Sequence, residues 1–196
     1  TFIAMKFVLR EATPILNVAI RFGVAAVFFL VAFRGRLFPL SKANVIKGSI
    51  LGLFLFLGFA SQNIGLQFTT ASKSAFITGM MVVFVPILQI IIERRSPKLG
   101  NILGVVIVAA GLWLLTSPEG SEFNIGDALT IVCAVVFAVY IVYLDVISKE
   151  MTTEHLTFLQ IASTGVYAWI AVAFFENPVV SFSPLSLLSL VYLTFL

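Results

Sequence analysis

The sequence has almost nothing that could hold a metal or form a covalent intermediate. It contains one cysteine, Cys133, and one histidine, His155. A single cysteine excludes a disulfide framework and a thiolate metal cluster. A single histidine argues against a histidine-based metal site, and at the start of an apolar run it reads as a solvated loop residue. Charge is scarce too. Only 11% of the 196 residues are charged, against about a quarter in soluble domains. The net charge of +3 is too small, and the basic residues too scattered between apolar runs, for nucleic-acid binding. No phosphate-binding glycine loop, Ser–His arrangement or paired intramembrane Asp is present, so no catalytic set emerges and the chain is not expected to be an enzyme. No cofactor is expected.

What is present is apolar surface. Hydrophobic residues make up 60% of the chain, and the mean hydropathy is +1.11. A soluble fold of this size has too little interior to hide them. A bilayer removes the difficulty. A spanning helix needs about 20 mostly apolar residues. Such runs occur at Ile15–Phe33, Val45–Phe68, Ala75–Ile92, Leu99–Thr116, Asp127–Ile147 and Leu156–Phe175. A stub precedes them at Thr1–Leu9, and another run starts at Leu185. The runs are apolar on every face rather than alternating, which favours helices over the strands of a barrel. The expected class is an all-α polytopic membrane bundle of eight segments, with the lipid bilayer as a partner. The chain lacks an initiator Met and opens and stops inside apolar runs, so a fragment of a longer protein is expected.

The loops carry a direction. Arg34, Arg36, Lys42, Lys47, Arg94, Arg95, Lys98 and Lys149 fall in one alternate set of loops, and Arg10 and Lys73 in the other. That asymmetry is a positive-inside pattern. It predicts a cytoplasmic N-terminus and a first full helix that runs inward.

Polar residues inside the spans are the candidate site. Arg21 lies within the second segment, with Asn17 one turn away on the same face. A central Arg costs roughly 2.5–3.5 kcal/mol on insertion scales. It either snorkels or locks two helices, or it meets an anionic substrate group in a cavity. Gln62, Asn63 and Gln67 share a broad arc of the third segment, as interhelical glue or as a wet wall. Thr78 and Gln89 share a face of the fourth with Ser74 and Glu93. Pro86 interrupts that helix, where a lost backbone hydrogen bond predicts a bend. Pro86 and Glu93 are therefore the candidate kink and gate. Gly48/Gly52 and Gly100/Gly104 form two GxxxG pairs, and Gly58, Ser61 and Gly65 a small-residue stripe, all expected to serve helix packing.

The ordered set of motifs resembles the drug/metabolite transporter superfamily, EamA type. The resemblance is carried by the stretch Gly65 to Ala75 (Gly-Leu-Gln-Phe-Thr-Thr-Ala-Ser-Lys-Ser-Ala), by Pro86 followed by Glu93, and by Gly104 with Gly111-Leu112-Trp113-Leu114-Leu115. Pro14 followed by Arg21 and the opening Thr1–Lys6 add to it. It implies two inverted five-helix repeats. Residues 1–116 would be most of the first, 117–125 a polar linker, and 126–196 part of the second. It implies a secondary transporter in the inner membrane that exports or exchanges small metabolites such as amino acids by alternating access. The partner would be a small-molecule substrate, with a homodimer left open. The alternatives are a non-transporting scaffold or accessory subunit and a membrane-embedded transferase.

Overall fold

The computed structural model describes residues 2–93, 99–116, 122–179, 181 and 183–195. Among these, the chain is helical and has no strand. In order, the helices are α1 (Phe2–Val8), α2 (Pro14–Phe33), α3 (Lys42–Phe68), α4 (Ala71–Gly79), α5 (Met81–Glu93), α6 (Leu99–Thr116), α7 (Ile125–Ile147), α8 (Thr153–Phe175) and α9 (Pro184–Phe195). α4 and α5 together form the fourth expected segment. The chain is an integral, multi-pass membrane protein. Among the described residues, five stretches are long and apolar enough to cross a bilayer: Pro14–Arg36, Lys42–Phe68, Ala71–Ile91, Ile125–Ile147 and Thr153–Phe175.

The helix starts follow local chemistry. Pro14 opens α2, where its missing N–H costs nothing. The Ser41 and Thr70 hydroxyls cap α3 and α4 by accepting the Asn44 and Lys73 N–H groups. Asn124 and Asp127 form a reciprocal capping box at α7. These caps move the true starts two to four residues ahead of the apolar runs at α3, α4 and α7. The fourth segment is interrupted at Met80, between α4 and α5. Pro86 lies inside α5 without ending it. A helical interruption therefore falls at Met80, six residues before Pro86.

α3 is the central mast. It packs on α7 and α8, and α2 packs on α8. Glycine decides how closely. A Cβ at Gly52 would stand 2.6 Å from the Ser163 Cβ and 2.9 Å from the Gln160 carbonyl oxygen. The bare backbone instead lets the Thr164 hydroxyl reach the Gly52 carbonyl at 3.0 Å. Gly65 and Gly126 bring α3 and α7 together in the same way, each Cβ position facing the other's carbonyl. By contrast, a Cβ at Gly100 or Gly104 would meet nothing within 4 Å.

Apolar clusters fill the contacts. Met5, Val8, Leu66, Leu190 and Leu193 join α1, α3 and α9. Leu16, Val18, Ala19, Ala168 and Val172 join α2 to α8. Large side chains such as Val31, Ile107 and Phe174 point outward, as lipid-facing surface should.

Candidate functional site

The sequence-predicted residues divide into a buried group and an exposed remainder. Asn17 and Asn63 are fully buried, Gln62 is 3% exposed, and Arg21 and Thr78 are 8% exposed. The α2–α3 face gathers three of them. The Asn63 amide donates to the Pro14 carbonyl at 3.0 Å, which places it one turn from Asn17. The Arg21 guanidinium lies 5.4 Å from the Phe59 ring centroid and 5.9 Å from that of Phe22. Its Nε and one terminal nitrogen donate to the Leu193 carbonyl at 3.2 and 2.9 Å.

Among the described residues, the second terminal nitrogen of Arg21, both side-chain atoms of Asn17 and the amide oxygen of Asn63 are buried without a partner. Among the described residues no carboxylate stands at ion-pair distance from Arg21. A buried polar group without a hydrogen bond costs about 1–3 kcal/mol, more if charged.

The other predicted residues go elsewhere. Gln62 donates to the Thr78 hydroxyl at 3.3 Å, linking α3 to α4. The amides of α3 thus serve different neighbours rather than one wall. Gln67 is exposed and lines a small pocket with Arg10, Glu11, Thr13 and Ser181 at the end of the bundle. Gln89 is half-buried on α5, and Thr78 lies on α4 before the interruption at Met80. Glu93 closes α5. The loop 94–98 and residues 117–121 of the linker lie outside the described residues. The polar face of α8 is used for packing. The Tyr140 hydroxyl donates to the Gln160 side-chain amide oxygen at 2.8 Å, and the Ser49 and Ser163 hydroxyls meet at 3.3 Å.

Several connecting side chains were not singled out from the sequence. Asp127, 1% exposed, accepts from the Thr69 hydroxyl at 2.5 Å and from the Lys73 ammonium at 2.8 Å. Glu176 accepts the N–H groups of Ile15 and Leu16 at 3.1 and 2.8 Å, capping α2. Glu11 accepts the Ser183 N–H at 2.7 Å, at the start of α9. The Ser183 and Ser186 contacts hold the Glu11 carboxyl below its usual value of 4.5. For Asp127 and Glu11 the signal was an acidic residue beside a helix start, whereas Glu176 follows the end of α8 and meets the start of α2 only in the fold. At the opposite end of the bundle Arg36 pairs with Glu154 at 3.5 Å and Lys47 with Glu150.

Comparison with known proteins gives a consistent picture. Residues 1–117 match the EamA-like transporter family. A protein of Archaeoglobus fulgidus named as an uncharacterized transporter is 31% identical over 160 residues, covering 82% of this chain and 49% of the relative. A second so named from the same organism is 28% identical over 206 aligned positions, covering all of this chain and 70% of the relative. The chain therefore spans about half the length of the first of these relatives. A crystal structure shares the fold at a TM-score of 0.69 and 18% identity, covering 92% of this chain and 64% of that one. An all-helical membrane bundle whose residues 1–117 match that family identifies the chain as a member of the EamA-like transporter family.

Proposed function

We propose that the protein containing this chain is a secondary transporter that moves a small metabolite, such as an amino acid or related solute, by alternating access. The carrying observation is the buried α2–α3 group, with unpaired atoms on Asn17, Arg21 and Asn63. Arg21 supplies a cation there, and a solute with an anionic group would complete it. Phe59 and Phe22 supply the apolar side of the same site.

The packing supports an inverted-repeat reading, with 1–116 in one repeat and 126–196 in the other. Exchanging α1 with α7, α2 with α8 and α3 with α9 turns the α3–α7 contact into α9–α1, and α3–α8 into α9–α2. All four contacts are present, and α2–α8 maps onto itself. The basic residues would lie on the cytoplasmic side of an inner membrane.

A second reading has its own observation. The Gln62–Thr78, Tyr140–Gln160 and Thr164–Gly52 bonds seal polar groups helix to helix, as an accessory subunit would. Flux assays on the full-length protein in liposomes, with amino acids and related solutes on either side, separate the two. Transport of at least one solute is expected, and it should fall at least about tenfold in Arg21→Ala if the missing charge-assisted bond contributes about 1.4 kcal/mol or more. No flux for any solute under any gradient would refute the transporter reading. Unchanged flux in a folded Arg21→Ala protein would remove Arg21 from the site.

A further inference from the structure

The two ends of the bundle are tied by carboxylates in matching places. Glu11 stands three residues before Pro14, the first residue of α2; Glu150 stands three residues before Thr153, the first residue of α8. α2 and α8 are equivalent under the exchange described above. Each carboxylate reaches the opening turns of the third helix in the other half of the chain. Glu11 accepts the Ser183 N–H at the start of α9, and the backbone around it adds a Ser181 N–H to Glu11 carbonyl bond at 2.9 Å. Glu150 pairs with Lys47 in the second turn of α3.

Each tie has a companion across the α2–α8 pair. Beside Glu11, the carboxylate of Glu176, just past α8, caps the start of α2. Beside Glu150, Arg36, just past α2, pairs with Glu154 in the first turn of α8. Every one of these four contacts crosses from residues 1–116 to residues 126–196.

We infer that Glu11 and Glu150 are equivalent latches, one at each end of the pathway, whose release opens that end alone. The inference rests on the transporter reading. Both contacts are made in this structure. Opening at either end requires the two halves to part there, and these are contacts that must then break. The two latches differ in chemistry. The Glu11 latch is a charge-assisted bond to backbone N–H at a helix start, where the dipole adds to it. The Glu150 latch is an ion pair between side chains 45% and 33% exposed, so salt screens it. Raised ionic strength should therefore loosen the end that carries Lys47 first.

The test is a pair of distance measurements by electron spin resonance on the full-length protein in lipid, with native cysteines including Cys133 replaced. Spin labels at positions 10 and 187 report on the Glu11 end, and labels at positions 45 and 146 on the Glu150 end. Glu11→Gln should raise the open fraction at its own end at least about threefold, a modest share of what a charged hydrogen bond is worth. It should leave the other end no more open than before. Glu150→Gln should do the reverse, and 0.5 M salt on the unsubstituted protein should mimic Glu150→Gln. Widening of both ends by either variant would mean loosened packing and would overturn the inference, as would no change in either. Wild-type solute flux is measured separately. Its absence would remove the transporter reading, whereas the distances alone decide the latch.

Discussion

The Lys73–Asp127 pair offers a quantitative check on how α3, α4 and α7 are held. Asp127 is 1% exposed, and the Lys73 side chain is 12% exposed. Lys73→Met leaves a buried carboxylate with only the Thr69 hydroxyl and the Asn124 N–H, at 2.5 and 3.2 Å. Removing one partner of a buried ion pair costs about 3–5 kcal/mol. The pair lies at the end of α7, near the membrane surface, where water and headgroups raise the effective dielectric. The expected loss therefore falls below that range, at about 2–3 kcal/mol, or roughly a hundredfold in the folded-to-unfolded ratio. Asp127→Asn removes the charge but keeps an acceptor for the capping box, so about 1–2 kcal/mol is expected. The double variant should cost at least about 1 kcal/mol less than the sum, because neither charge is then stranded. Reversible unfolding of the full-length protein in mixed micelles, followed by far-ultraviolet circular dichroism, measures all three. A coupling below about 0.5 kcal/mol, with Lys73→Met near neutral, would refute the reasoning.

Other outcomes follow from the same geometry. Gly52→Val should destabilise by about 1–3 kcal/mol in the same unfolding assay, since its first carbon alone would press on Ser163 and the Gln160 carbonyl. Gly104→Ala, with open space at its Cβ, should be neutral or stabilise by up to about 1 kcal/mol through helix propensity. The Glu11 contact should depend on pH. Its carboxyl titrates below the usual 4.5, so the stabilisation is complete above that value and is lost as pH falls through the lower, folded one. Arg10 is the charged side chain that shares its pocket. Hydrogen exchange at the Ser183 amide should quicken in that acidic window beyond the intrinsic pH effect, and Glu11→Gln should remove the acceleration.

The bundle was legible because lipid contact is a local demand. Lipid-facing residues must be apolar whatever their neighbours, so hydropathy alone placed α2, α6 and the ends of α3, α7 and α8 to within a residue. Helix starts were less legible, since they depend on caps. The Asn124–Asp127 box at α7 was readable in principle, being an Asn followed three residues later by an acid. The interruption at Met80 had no such mark, and attention went to Pro86.

The site divides along the same line. That Asn17, Arg21, Gln62 and Asn63 stand inside the membrane follows from their place in apolar runs, and one chain suffices to show it. Helical periodicity could say which of them share a face, but not which helix that face meets. Asn63 turns to α2, Gln62 to α4, and Gln67 to the surface, because neighbours 16 to 49 positions away decide it. The two GxxxG pairs make the point most sharply. They are the same motif, yet Gly48 and Gly52 touch α8 while Gly100 and Gly104 face open space. The sequence by itself determined a membrane bundle, its spans and its charge asymmetry, because each is set residue by residue against lipid and water. Only the tertiary structure decided which polar groups are paired, which are left open, and which carboxylates bridge the halves, because a partner far along the chain leaves no periodicity behind.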